Sequence, residues 1–422
     1  MTSFDPEDYL NSLEPLGWRL GLDRMHKLTS VLGMPQHRFA SIHVVGTNGK
    51  SSVAQMIAAL LEAHGVTAGA CLSPHLVRWS ERVRIHGEEI QPGAFAASVE
   101  RAAEGAEVTN RTLEEGDAVT QFEVATAAAF IALAAARVSA GVVEAGLGGR
   151  LDATNVIPSR VTVLTSVGLD HTEWLGETEA EIAGEKLAVL RDGSTLVTGS
   201  VSGEVDALAS KVAAQRGATH VRAPLDPGSD IELRAPGGFQ RRNFALAAAA
   251  AEAFLGSLEG AAVREVATGL SIPGRLEVVS DDPPTILDAA HNPDGAAALA
   301  EALPEVSGGK PVFACLGILG DKDAEAMLRA LAPALQYAVC TELPSARLRA
   351  SGRPGAHSRL AAELAEICRE LGLEAESVEE PAAALARARE LAAAAGGVAL
   401  AAGSHYLLGA AWTRRHAQSF SR

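Results

Sequence analysis

The stretch "HVVGTNGKSSVAQMIAALL" begins at His43 and carries the first chemistry in the chain. Gly49, Lys50 and Ser51 fit the end of a phosphate loop of the form G-x-x-x-x-G-K-[ST], but Val44 stands where its first glycine belongs. Gly46 supplies a turn of its own two residues later. A turn of small residues lets the backbone N–H groups of Gly46, Thr47, Asn48 and Gly49 close around phosphate oxygens. The start of the following helix adds favourable dipole charge. Lys50 then reaches the β- and γ-phosphates of a nucleotide, and Ser51 or Ser52 offers a hydroxyl to Mg²⁺. Val53, Met56, Ile57, Leu60 and Leu61 recur at helical spacing, so the loop has the helix it needs behind it.

Other residues could complete such a site. Glu144 ends the apolar run "GVVEAG", and in open parallel sheets the carboxyl ends of strands are where ligands bind. A carboxylate there can hold Mg²⁺. Asp170 and His171 follow another strand; Mg²⁺ prefers oxygen donors, so this His alone reads as a hydrogen-bonding residue. Lys186 falls within the apolar arc of its helix, close to Ile182. It either snorkels to solvent or points into a site. A desolvated lysine there would pair with phosphate, act as a nucleophile, or take up CO₂ to become an anionic carbamate. Asp288 and His291 repeat the pattern of strand end meeting helix start later in the chain, and Arg275, at the linker, could swing onto a phosphate. Asp321, Lys322 and Asp323 read equally well as helix-start charges.

The elements that position these groups alternate strand and helix, which predicts an α/β fold with a mostly parallel sheet. Strands are expected at 42–45, in "TAGACL", "GVVEAG" and "VTVLTSV", and helices at about 122–137 and 178–190. Thr178 and Glu181 form a capping box for the second of these. "SIPGRLEVVSDDPP" is expected to separate two domains, 1–275 and 276–422. The second resembles a smaller Rossmann-like unit, with a helix starting at Asn292-Pro293.

The 422 residues carry a formal net charge of −16, which argues against nucleic acid or an anionic membrane as partner. The 4 cysteines are scattered, as in a reducing compartment. No signal peptide or spanning run is evident, so a cytoplasmic, monomeric protein is expected.

Taken together, "GTNGKSS", "SPHLVRWSERVRIHGEEI", "FEVATAAAF", "VVEAGLGGRLDATNV", "LDHTEWLGETEAEIAGEK", "RRNFALAAAA", "PGRLE", "DAAHNPDG", "GDKD" and "GSHYLLG" resemble the folylpolyglutamate synthase/dihydrofolate synthase family of the Mur ligase superfamily. The resemblance implies a P-loop ATPase-like central domain plus the Rossmann-like C-terminal domain. It implies an ATP- and Mg²⁺-dependent ligase that adds L-glutamate to dihydropteroate or a folate glutamate tail through an acyl phosphate. By the same resemblance Ser73, Glu144 and His171 hold the metal, and Lys186 is the carbamylated lysine. Asn243 contacts the adenine, Arg275, Asp288 and the catalytic His291 reach ATP from the second domain, and His291 and Ser404 lie near the incoming glutamate. Pro74, His75 and Arg82, in a loop spanning 73–90 that resembles the pterin-side loop, belong with Asp152 to the folate side. The chain departs from the family at Ser51, where Gly is usual, at Leu187-Ala188, where Ala-Gly is usual, and at Gln121. Another amino-acid ligase of the superfamily is disfavoured because no domain for a UDP-sugar precedes the phosphate loop. A non-catalytic nucleotide switch is disfavoured because Lys186, Glu144 and His171 are all present.

Overall fold

The computed structural model describes residues 4–13, 19–349 and 355–409. The chain forms two compact units. Residues 1–234 with 241–270 make the first, and residues 235–240 with 271–422 the second. The units part after residue 270, where the sequence expectation placed a boundary after 275.

The first unit is built on an eight-stranded sheet. Its strands are β1 (Ala40–Val45), β2 (Ala68–Cys71), β3 (Val83–Ile85), β4 (Glu88–Glu89), β5 (Ala140–Glu144), β6 (Ser159–Leu164), β7 (Thr195–Thr198) and β8 (Thr219–Arg222). They lie in the order β4-β3-β2-β5-β1-β6-β7-β8. Every pair from β2 to β8 is parallel, and β3 and β4 add an antiparallel edge. β1 sits between β5 and β6, so the connection leaving β1 toward β2 passes over β5 and the one leaving β5 toward β6 passes over β1. This reversal of direction marks the carboxyl ends of β1, β5 and β6 as the place where an open α/β sheet binds ligands. β5 is buried along its whole length, as a strand covered on both faces must be. The helix after β1, Lys50–Ala63, buries Val53, Met56, Ile57, Leu60 and Leu61 almost completely, which fixes its rotation and its first turn.

The second unit carries a six-stranded sheet. Its strands are β9 (Glu277–Asp281), β10 (Pro284–Leu287), β11 (Val312–Leu316), β12 (Tyr337–Cys340), β13 (Ala375–Ser377) and β14 (Val398–Ala402). The order is β13-β12-β11-β14-β10-β9, with only β9 antiparallel.

Two sequence expectations need correction. The segment "SIPGRLEVVSDDPP" is not simply a linker: it contains β9, which pairs with β10 across Asp282-Pro283. Its prolines flank the strand rather than interrupt it, so the ladder survives. Likewise 73–90 is not one loop, since it holds a 3₁₀ turn at Trp79–Arg82 and the β3–β4 hairpin.

Candidate active site

The phosphate loop is strapped to the end of β6. Thr47 N donates to Ser166 O (2.8 Å) and Asn48 N to Ser166 Oγ (2.9 Å), while Thr165 Oγ1 donates to Asn48 O (2.6 Å). A Cβ on Gly46 would lie 1.9 Å from Thr165 Oγ1, so only glycine lets the loop approach this strap. Gly49 has φ +83°, and a Cβ there would meet Asn243 Oδ1 at 2.7 Å. Val44 is fully buried in β1. The loop therefore begins two residues later than in the standard motif, at Gly46. Lys50 starts the helix, and its Nζ donates to Thr47 O (3.1 Å), curling over the loop.

Glu144 projects from the end of β5, 2% exposed. Ser51 Oγ donates to its Oε1 (2.9 Å), and Ser73 N donates to its Oε2 (2.9 Å). Ser51 Oγ also lies 3.4 Å from Ser73 O. Ser52 is buried within the helix. Of the two candidate hydroxyls, Ser51 is thus the one on the carboxylate. The cluster offers hard oxygen donors: a carboxylate, a hydroxyl and a carbonyl. Among the described residues no group of three or more His, Cys, Asp or Glu side chains is placed to hold a metal ion by itself. Such a partial set fits a small hard dication that keeps waters and binds through one carboxylate plus substrate phosphates. Ser51→Ala is expected to raise the divalent-cation concentration for half-maximal rate by about tenfold, and Ser52→Ala to leave it unchanged. Equal effects of the two, measured by metal titration, would contradict this assignment.

His171 follows the β6 strap in a left-handed conformation (φ +53°). Its backbone N donates to Asp170 Oδ1 (2.9 Å), and its Nε2 lies 3.8 Å from the same oxygen.

Lys186 does not snorkel. It is 3% exposed, and its Nζ donates to Gly46 O (2.9 Å), directly behind the phosphate loop. Burial, and then the like charge of Lys50, push its pKa down to about 7 against the opposing pull of Asp170 and Asp152. Its helix, Glu179–Leu187, starts with the expected capping box: Glu181 N donates to Thr178 Oγ1 (3.2 Å) and Thr178 N to Glu181 Oε2 (3.1 Å). The glycine-rich loop after β5 clasps the same helix. Arg150 N donates to Glu185 O (2.9 Å), and a Cβ on Gly149 would stand 2.8 Å from Glu185 O and 2.9 Å from Lys186 O.

The residues that the resemblance assigns to the folate side are mostly engaged with their own loops. The buried Asp152 carboxylate accepts from Leu147 N (2.8 Å) and Thr154 N (3.0 Å) and closes the glycine-rich turn. Burial raises its pKa, and these hydrogen bonds oppose the rise. Arg82 Nε donates to His75 Nδ1 (3.0 Å), and the guanidinium lies 4.0 Å from the Trp79 ring centre. The peptide bond from Ser73 to Pro74 is cis.

In the second unit, Asp288 ends the β10 segment, and its carboxylate accepts from Leu276 N (2.9 Å) and Ala290 N (2.8 Å). Burial raises its pKa, opposed first by the charge of Arg275. His291 precedes the helix Pro293–Ser307, whose N-cap Asn292 accepts from Gly295 N (2.8 Å). The His291 ring lies 5.1 Å from that of His405, beside Ser404, whose Oγ accepts from Tyr406 N (3.2 Å).

The first unit therefore gathers Gly46, Thr47, Asn48, Gly49, Lys50, Ser51, Ser73, Glu144, Lys186 and Asn243 around one crevice. The second gathers Arg275 with Asp288, and His291 with Ser404 and His405. Sequence reasoning missed Thr165, Ser166 and His405. The hydroxyl pair directly after the β6 run was the available signal for the strap.

Residues 274–405 match the family described as Mur ligase, glutamate ligase domain. The chain is 37% identical over 364 residues to the dihydrofolate synthase/folylpolyglutamate synthase of Mycobacterium tuberculosis, covering 77% of this chain and 75% of that protein. Its structure is similar to that of the Mycobacterium tuberculosis folylpolyglutamate synthase complexed with ADP, with a TM-score of 0.88 and 34% identity, over 97% and 98% of the two chains. It is also similar to a bifunctional folylpolyglutamate synthase/dihydrofolate synthase with Mn, AMPPNP and L-glutamate bound, with a TM-score of 0.83 and 29% identity, over 98% of each chain.

Proposed function

This chain belongs to the folylpolyglutamate synthase/dihydrofolate synthase family and is an ATP-dependent glutamate ligase of folate metabolism; from that premise we propose that it joins L-glutamate to dihydropteroate, to the γ-carboxyl of a folate glutamate tail, or to both, through an acyl phosphate. The observation that carries the reading is the convergence of Lys50, Ser51, Glu144 and the buried Lys186 on one phosphate loop.

A carboxylate is a poor electrophile at neutral pH. An oxygen of the acceptor carboxylate attacks the γ-phosphorus of ATP, and the bond from that phosphorus to the β-bridging oxygen breaks, releasing ADP. The amine of glutamate then attacks the acyl carbon. Phosphate leaves with the former carboxylate oxygen, and the amine gives up a proton. Lys50 and the N–H groups of the loop neutralise charge on the phosphates and hold them in line. A divalent cation, Mg²⁺ in this reading, would be held by Glu144, Ser51 and Ser73 with His171 near by, and would neutralise charge on the transferring phosphoryl group. Asn243 would hold the adenine, and in the second unit Arg275 and Asp288 are assigned to the nucleotide by the family resemblance. His291 and Ser404 orient the glutamate, and Pro74, His75, Arg82 and Asp152 shape the folate side.

Lys186 is read as the carbamylated lysine. With its pKa near 7, much of it is a neutral amine under ordinary conditions. That amine adds to CO₂ and loses a proton, leaving an anion behind the loop. The protein is further proposed to work as a monomer in the cytoplasm. All of its cysteines are free and buried, which suits a reducing compartment. Among the described residues no helix is long and apolar enough to cross a membrane.

Purified protein with ATP, Mg²⁺ and glutamate should release ADP when dihydropteroate or tetrahydrofolate is added. Dihydropteroate alone active would mean a dihydrofolate synthase, and tetrahydrofolate alone a tail-extending enzyme. No ADP release with either acceptor would sink the reading.

A further inference from the structure

The edge of the first unit's sheet opposite the phosphate loop bears a cavity of about 750 Å³. β6 begins at its rim with Ser159 and runs to the loop strap at Thr165, about 20 Å away at ~3.3 Å per residue. The helix Gly238–Leu255 measures the same gap. Asn243 sits at Gly49, while Phe254 lines the cavity, about 16 Å further along the helix. This cavity is therefore separate from the nucleotide crevice.

Its lining is cationic on a protein of net charge −16. Arg160 and Arg191 line it together with a single acid, Asp192, whose Oδ1 already accepts from Arg216 Nη1 (3.0 Å). Arg191 is held rigidly: Nε donates to Ile157 O (3.1 Å), and Nη2 to Asn155 O (2.6 Å) and Asn155 Oδ1 (2.8 Å). Its Nη1 makes no hydrogen bond among the described residues. The Arg160 guanidinium lies 5.0 Å from the Phe254 ring centre and likewise makes no hydrogen bond among them. The cavity thus combines an exposed guanidinium set over a phenyl ring with a fixed guanidinium whose Nη1 makes no hydrogen bond among the described residues. Its volume is that of sites for small organic ligands.

We propose that this cavity is a second binding site, distinct from the ligase centre, for a small aromatic carboxylate. The ring stacks on the Arg160–Phe254 platform, and the carboxylate takes the open edge of Arg191 as a charge-assisted acceptor. The lining takes in Asn155, at the end of the glycine-rich segment, and Arg191, four residues beyond the end of the Lys186 helix. A simple phosphate ion would use the charge but not the platform.

4-Fluorobenzoate titrated into the full-length protein, saturated with AMPPNP and Mg²⁺ and followed by ¹⁹F line broadening, tests this. Binding is expected to weaken tenfold or more in Arg160→Gln and in Phe254→Leu, with the steady-state ligation rate within twofold of the parent. Equimolar inorganic phosphate should not displace the probe. No broadening, equal affinity in Arg160→Gln, displacement by dihydropteroate, or displacement by phosphate would each overturn the proposal. The ligase reading is tested by ADP release, so the two can fail separately.

Discussion

Lys186→Ala is expected to lower turnover by about 10²- to 10³-fold, the effect of removing one preorganised charge from a buried site, with the fold intact. Lys186 Nζ sits on the carbonyl of Gly46, at the back of the loop that holds the phosphates. On the proposed carbamate reading, the substitution removes an anion from behind the loop and leaves the charge of Lys50 uncompensated there. The parent enzyme should lose rate in CO₂-free buffer and regain it with bicarbonate, whereas Lys186→Ala should respond to neither. A parent enzyme indifferent to CO₂ would rule out the carbamate and leave the lysine as a phosphate partner.

The same residue sets a pH dependence of stability. Its folded pKa, about 7, lies below the ordinary 10.5. Between those values the unfolded chain binds more protons than the folded one, so this group makes stability rise with pH across that window. Below pH 7 the cost of holding the ammonium buried is fully present, on the order of several kcal/mol. In CO₂-free, nucleotide-free protein, Lys186→Met should therefore be more stable than the parent at pH 6.5 and lose that advantage by pH 10. Urea melts at the two pH values measure it. A variant less stable than the parent at pH 6.5 would mean the lysine is better compensated than its surroundings indicate.

Glu144→Ala is expected to be at least as damaging, with a rate loss of about 10³-fold or more, comparable to removing a main charge-neutralising group in phosphoryl transfer. The carboxylate is buried at a strand end and accepts from both Ser51 and Ser73, so it organises the cluster as well as charging it. Glu144→Gln separates these roles. The amide keeps an oxygen for one of these donors but removes the charge. If charge is what matters, Glu144→Gln will be nearly as slow as Glu144→Ala and will need far more Mg²⁺. A Glu144→Gln enzyme within tenfold of the parent would contradict the metal role.

Much of the first unit was legible because its signals are local. The stripe from Val53 to Leu61 sets the helix behind the loop, and the Thr178 capping box sets the helix of Lys186. From those two, the inward aim of Lys186 follows as one of two alternatives, and packing against Gly46 decides between them. The choice between Ser51 and Ser52 was not legible. Adjacent residues on a helix point about 100° apart, and only the placement of β5 tells which one meets Glu144. Thr165 and Ser166 escaped notice for the same reason: their partners lie more than a hundred residues away in the chain. β9 was hidden by the prolines around it, which read as punctuation until the β10 pairing is seen. Asp152 was assigned by resemblance to the folate side, while its placement among Leu147 N and Thr154 N gives it a loop-closing job as well.

Phosphoryl transfer onto a carboxylate is tested most directly by the fate of oxygen. Acceptor labelled with ¹⁸O in the reacting carboxylate, incubated with enzyme, ATP, Mg²⁺ and glutamate, should yield inorganic phosphate carrying one ¹⁸O atom per amide bond formed. Phosphate free of ¹⁸O, alongside amide product, would contradict the acyl-phosphate route.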